Sequence, residues 1–82
     1  MYLEILTPER KIFEGEVEIA TFPGADGSFQ VLDNHAPLIS LLIEGVVEYR
    51  SKTSGSDQVR ITGGVVEVLK NRVIVMADGV SL

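Results

Sequence analysis

The chain has 82 residues, with no cysteine, a single histidine, and seven basic against twelve acidic side chains for a net charge of −5. That length supports one domain with one core that buries roughly 60% of the unfolded surface, and the cysteine count removes disulfide frameworks, thiolate zinc clusters and thiol nucleophiles. The negative balance repels phosphate backbones, so nucleic acid is not expected as a partner, and the longest uncharged apolar stretch, Ala36 to Ile43, is far short of the ~20 residues of a spanning helix.

Met1 is followed by Tyr2, Leu3 and Glu4 with no basic segment ahead of an apolar one, so no secretory signal is read. Tyr2 to Leu6 reads as the first strand. Thr7, Pro8 and Glu9 end it, because proline lacks a ladder donor and fixes φ. A short run, Lys11 to Glu14, follows. Glu16 to Phe22 alternates strictly, with Glu16, Glu18, Ala20 and Phe22 on one face and Val17, Ile19 and Thr21 on the other, and its acids in water.

Pro23 to Gly27 is a turn-rich break, Phe29 to Leu32 a short strand, and Asp33-Asn34 a second break. Together, Gly24 through Ile39 reads as a long central loop where contact with a partner is expected. Pro37 to Ile43 is the most apolar run and reads as a strand covered on both faces. Glu44-Gly45 turns it into Val46 to Arg50. Lys52 to Asp57 reads as an exposed hairpin tip, with Gln58 to Thr62 as its return strand.

The clearest local signal is Val65 to Leu69, a Lys70-Asn71 turn, and Arg72 to Ala77, since asparagine tolerates the positive φ of tight hairpin turns. Gly63-Gly64 ahead of it predicts a bulge or a close backbone approach. Nine strand candidates and no helix-length periodic run predict an all-β fold, two packed antiparallel sheets in a single domain over 1–82.

Catalytic patterns do not assemble. Ser28 or Ser40 with His35 and Asp33 offers the residue types of a triad, but no serine sits in a G-x-S-x-G elbow and there is no second histidine. Glu14, Glu16 and Glu18 could face one way along an extended stretch, yet no loop accompanies them that could wrap a cation. The Gly24 to Gly27 pair lacks the Gly-Lys-Ser/Thr and the helix start of a phosphate cradle. No metal or cofactor is expected, and His35 reads as a hydrogen-bonded loop residue.

Taken in order, Leu3 to Glu9, Phe13 to Val17, Gly24-Ala25-Asp26-Gly27, Phe29 to Leu32, His35-Ala36-Pro37-Leu38, Gly63 to Val68 and Val75 to Asp78 resemble the epsilon subunit of the F-type rotary ATP synthase over nearly the whole chain. The resemblance implies a flattened antiparallel β-sandwich of about ten short strands. It implies a non-catalytic central-stalk subunit without cofactors, bound to the gamma subunit and the c ring. Such a subunit couples proton flow to ATP synthesis by rotation, and is peripheral on the cytoplasmic side of the bacterial plasma membrane, without inserting into it.

In the family, the loop matching Gly27 to Leu38 faces the c ring and the foot of gamma. The resemblance therefore implies Ser28, Phe29, Asp33, Asn34, His35, Ala36, Pro37 and Leu38 as interface residues. Two departures stand out. Many members carry glutamate at the position of Ser28 and Pro-Gly at Asp33-Asn34, which leaves Asp26 or Asp33 to supply an acidic contact. The family also usually continues into a two-helix C-terminal domain, which is absent from these 82 residues. The alternative expectation is a free-standing adaptor or ligand-binding sandwich, with a pocket lined by Phe29, Tyr49 and the turn residues.

Overall fold

A computed structural model describes residues 1–81. Ten strands follow one another: β1 (Tyr2–Leu6), β2 (Lys11–Glu16), β3 (Ile19–Gly24), β4 (Gly27–Leu32), β5 (Leu38–Leu42), β6 (Gly45–Ser51), β7 (Gly55–Ile61), β8 (Gly64–Leu69), β9 (Arg72–Ala77) and β10 (Val80–Ser81). Hydrogen bonding links them into two layers. One runs β5-β8-β9-β1-β2 and the other β4-β3-β6-β7-β10, joined where Gly24 of β3 pairs with Leu42 of β5. Every ladder is antiparallel except β1–β9, which is parallel.

The chain changes layer at two points, and local chemistry marks both. Val17 donates its amide to the Met1 carbonyl while Glu18 donates to the Arg50 carbonyl, so consecutive residues belong to different sheets. The expectation of one unbroken strand from Glu16 to Phe22 is thereby corrected. Val17 points into the core before the switch, and Ala20 and Phe22 after it. The second point is Pro23, whose carbonyl accepts from Ile43 where β3 passes from β6 to β5. Its missing amide falls at this fork, where a ladder donor is dispensable.

Inward side chains fill the space between the layers. Leu3, Ile5, Val66, Val68, Val73 and Val75 come from one sheet, and Ala20, Phe22, Val31, Val47, Tyr49 and Ile61 from the other, all buried. Burial of each larger aliphatic or aromatic side chain contributes about 1.5–3 kcal/mol. The overall extents of 26 × 25 × 19 Å match two sheets about 10 Å apart with their outer side chains.

Two hairpin expectations hold in detail. Lys70 and Asn71 have φ of 51° and 61°, as a two-residue turn requires. At Gly64, a Cβ would lie 2.3 Å from the Met76 carbonyl oxygen, so two backbones do approach closely there. Three readings need correction. The region 24–39 is largely strand, since β3 reaches Gly24 and β4 begins at Gly27, leaving the true loop at Asp33–Pro37. The β6–β7 tip shrinks to Lys52–Ser54. Finally, β5 is not covered on both faces, because Ile39 and Leu41 are 71% and 67% exposed.

Candidate functional site

The residues singled out from the sequence fall in two places. Ser28 and Phe29 lie on β4. Phe29 turns inward against Phe22, ring centroids 5.6 Å apart, and the Ser28 hydroxyl donates to the Phe22 carbonyl at 3.3 Å. Asp33, Asn34, His35, Ala36 and Pro37 form the loop between β4 and β5, and Leu38 opens β5. The structure thus brings the last six together at one end of the sandwich, with the first two along an adjoining edge.

Three bonds hold the loop. Asn34 adopts a φ of 62°, which asparagine tolerates, and its amide donates to the Asn71 side-chain oxygen at 2.8 Å. The His35 amide donates to the Leu32 carbonyl at 3.2 Å. The Asp33 carboxylate accepts from the Met1 ammonium, which also donates to the Val17 carbonyl at 3.1 Å and lies 3.3 Å from Glu16 Oε2. Burial alone would lower this amine's pKa, but the hydrogen bonds and charges of Asp33 and Glu16 outweigh it and raise the value above 8.0.

Among the described residues, the triad candidates are not brought together. The Asp33 carboxylate is engaged by Met1, His35 Nδ1 lies 2.7 Å from the Ala36 carbonyl, and the Ser40 hydroxyl donates to the Leu41 carbonyl. Glu14 and Glu16 share the exposed face of β2, yet the three glutamates are engaged separately: Glu14 bonds Tyr2 and Lys11, Glu16 the Met1 ammonium, and Glu18 Arg50. Among the described residues no cluster has the makings of a metal site. Gly24 and Gly27 close the β3–β4 hairpin around Ala25-Asp26. The shallow depression of about 410 Å³ that Tyr49 lines is walled by Glu48, Arg50, Asp57 and Gln58 and does not include Phe29.

A feature the sequence concealed lies on the outer side of the β5-β8-β9-β1 sheet. Residues directly opposite one another share a face, and the registers Leu41↔Val65, Val65↔Met76 and Met76↔Leu6 align four apolar side chains across four strands. Leu41 and Met76 are 67% and 49% exposed. The next row reads Ile39, Glu67, Ile74, Glu4. A groove of about 450 Å³ lined by Leu6, Thr7, Pro8 and Met76 adjoins one end. Another of about 350 Å³, lined by Pro37, Leu38, Ile39, Glu67 and Leu69, runs from the second row to the Asp33–Pro37 loop. This outer face is thus apolar in its first row and alternates apolar and acidic side chains in its second.

Comparison with known proteins agrees with this geometry. The family model for the ATP synthase delta/epsilon chain beta-sandwich domain matches residues 1–82. The chain is 40% identical over 79 residues to the ATP synthase epsilon chain of Campylobacter concisus, covering 96% of itself and 61% of that protein. It is 39% identical to that of Chlorobium limicola, covering 90% of a much shorter relative. The chain thus spans about 60% of the length of the longer relatives. Among solved structures, a chain of the Euglena gracilis mitochondrial ATP synthase (OSCP/F1/c-ring) superposes with a TM-score of 0.88 at 23% identity, covering 96% of this chain and 51% of that one. A chain of the Tetrahymena thermophila central stalk/c-ring does so with a TM-score of 0.85 at 17% identity, covering 99% and 65%. At these identities the likeness is one of fold.

Proposed function

Because the chain belongs to the family of ATP synthase delta/epsilon beta-sandwich domains, we propose that it is a non-catalytic rotor subunit linking gamma to the c ring, peripheral on the cytoplasmic side of the membrane. The observation that carries this reading is the outward apolar row Leu41, Val65, Met76 and Leu6. A rigid two-layer body with one apolar outer surface gains stability when a protein covers it. In this reading gamma takes that surface. The c ring meets the adjoining end, where Asp33, Asn34, His35, Ala36, Pro37 and Leu38 lie, with Ser28 and Phe29 on the flanking edge.

The test is complex formation with purified gamma by size exclusion. Leu41→Glu and Met76→Glu place a charge on the proposed contact and are expected to weaken binding about tenfold or more. Gln58→Glu, on the outer side of the other sheet, leaves it unchanged. Absence of a complex with the folded wild-type chain, or equal loss from all three variants, counts against the reading.

A further inference from the structure

Glu67 stands on the outer side of β8 among apolar neighbours. Ile39 of β5 and Ile74 of β9 lie directly across from it on either side. Val65 and Leu69, two positions away along the strand, point to the same face. Glu67 is half-buried there, and lines the groove of about 350 Å³ that it shares with Pro37, Ile39 and Leu69.

The other strand carboxylates of this face are matched by cations. Glu4 lies 3.2 Å from Arg72 and 3.6 Å from Lys11, Glu14 lies 3.1 Å from Lys11, and Glu16 lies 3.3 Å from the Met1 ammonium. Among the described residues, Glu67 takes part in no ion pair. Glu48, on the outer side of the other sheet, is likewise without a cation, but it is exposed between Thr21 and Gln58, where water serves it. An open carboxylate costs little while water reaches it. Covering Glu67 with a purely apolar partner would strip that water and leave a charge unpaired, which is costly. A partner that brings one cation turns the same position into a charge-assisted contact, which the four apolar neighbours shield from solvent.

We propose that Glu67 is the polar anchor of this outer face, accepting one basic side chain, arginine or lysine, from the protein partner that covers the apolar row. The inference rests on the reading that gamma takes this surface, and it adds what fixes gamma's register there. A second copy of this chain does not supply the cation. The basic strand residues of the same face, Lys11 and Arg72, are already held by Glu4 and Glu14.

Glu67→Gln keeps the shape of the side chain and removes its charge. With purified gamma as the probe, this variant is expected to bind about tenfold more weakly or worse while melting like wild type. Glu48→Gln, which removes an acid from the other sheet, binds normally. Glu67→Lys sets like charges together and abolishes the complex, which permits a rescue experiment. Among gamma variants in which single arginines or lysines are replaced by glutamate, one restores binding to Glu67→Lys. Normal binding by Glu67→Gln, or rescue by none of the gamma variants, overturns the anchor and leaves the rotor assignment standing. Failure of the wild-type chain to bind gamma overturns both. A wild-type self-dimer that Glu67→Gln dissolves, with gamma binding unaffected, overturns the choice of occupant.

Discussion

The amino group of Met1 donates to the carboxylate of Asp33, 32 positions along the chain. With Val17 and Glu16 as its other neighbours, this ammonium ties the start of β1 to the layer switch and to the loop that precedes β5. The Met1 side chain is buried in the core, 4% exposed, so the amine is held in place rather than trailing in solvent.

A pH dependence follows from this arrangement. The folded-state pKa of the amine is raised above its ordinary 8.0, so its contribution to stability is fully present below that value and is lost as pH rises through the raised one. Asp33→Asn is expected to cost about 0.5–1.5 kcal/mol at neutral pH, toward the low end because Asp33 is 59% exposed. The difference in melting temperature from wild type should shrink as the amine deprotonates. Lys11 and Tyr2 are raised as well, each chiefly by its hydrogen bond to Glu14, from ordinary values of 10.5 and 10.0 that already lie above the amine's 8.0. A difference that stays constant across the amine's titration counts against the ammonium as the partner that matters.

Gly64 should be harder to replace than Gly27. An alanine there would set Cβ 2.3 Å from the Met76 carbonyl oxygen and 2.9 Å from Ala77 Cα, at a φ of 151°. Both are backbone atoms of a paired strand and cannot swing aside, so Gly64→Ala is expected to cost about 3 kcal/mol or more. Gly27, with φ 126° and open space around its missing Cβ, carries the conformational penalty alone, about 1 kcal/mol. Chemical denaturation of the two variants should reproduce that order.

Local signals were legible where one residue type can do one thing. Asn71 after Lys70 specified its turn, and Gly63-Gly64 its close approach, because few residues adopt those φ values. The resemblance implied a loop from Gly27 to Leu38, of which Gly27–Leu32 is strand β4 and only Asp33–Pro37 is loop. What stayed hidden depends on which element packs where. Glu16 to Phe22 alternates without a break, yet the layer switch at Val17-Glu18 is made by Met1 and by Arg50 of β6, partners that no local pattern encodes. In β5, six of the seven residues from Pro37 to Ile43 are apolar, so the period of two that separates Leu38, Ser40 and Leu42 from Ile39, Leu41 and Ile43 cannot be seen. The apolar row emerges only when the registers of β5, β8, β9 and β1 are laid side by side.

His35 and Ala36 are expected to matter for association and little for folding. His35 Nδ1 meets only the neighbouring Ala36 carbonyl, and Ala36 is exposed, so neither removes a core contact when replaced. His35→Ala and Ala36→Asp should each change stability by less than about 0.5 kcal/mol, while weakening rotor assembly. Melting curves with pull-down of the assembled rotor separate the two effects. A large fall in melting temperature with assembly intact would place both residues in the scaffold instead.

Leu41 and Leu42 provide the sharpest contrast between packing and binding, since they are the same side chain at adjacent positions. Leu42 is 6% exposed and belongs to the core, whereas Leu41 is 67% exposed on the outer row. Truncating a buried leucine removes its transfer free energy and leaves a cavity, so Leu42→Ala is expected to cost about 2–5 kcal/mol. Leu41→Ala should lie within about 0.5 kcal/mol of wild type in the isolated chain. In the complex with gamma the order inverts. Leu41→Ala then removes a buried interface side chain and should weaken binding by about tenfold or more, while any Leu42→Ala chain that still folds binds normally. If Leu41→Ala is silent in both measurements, the outer face of β5 is not where gamma sits, and the apolar row needs another occupant.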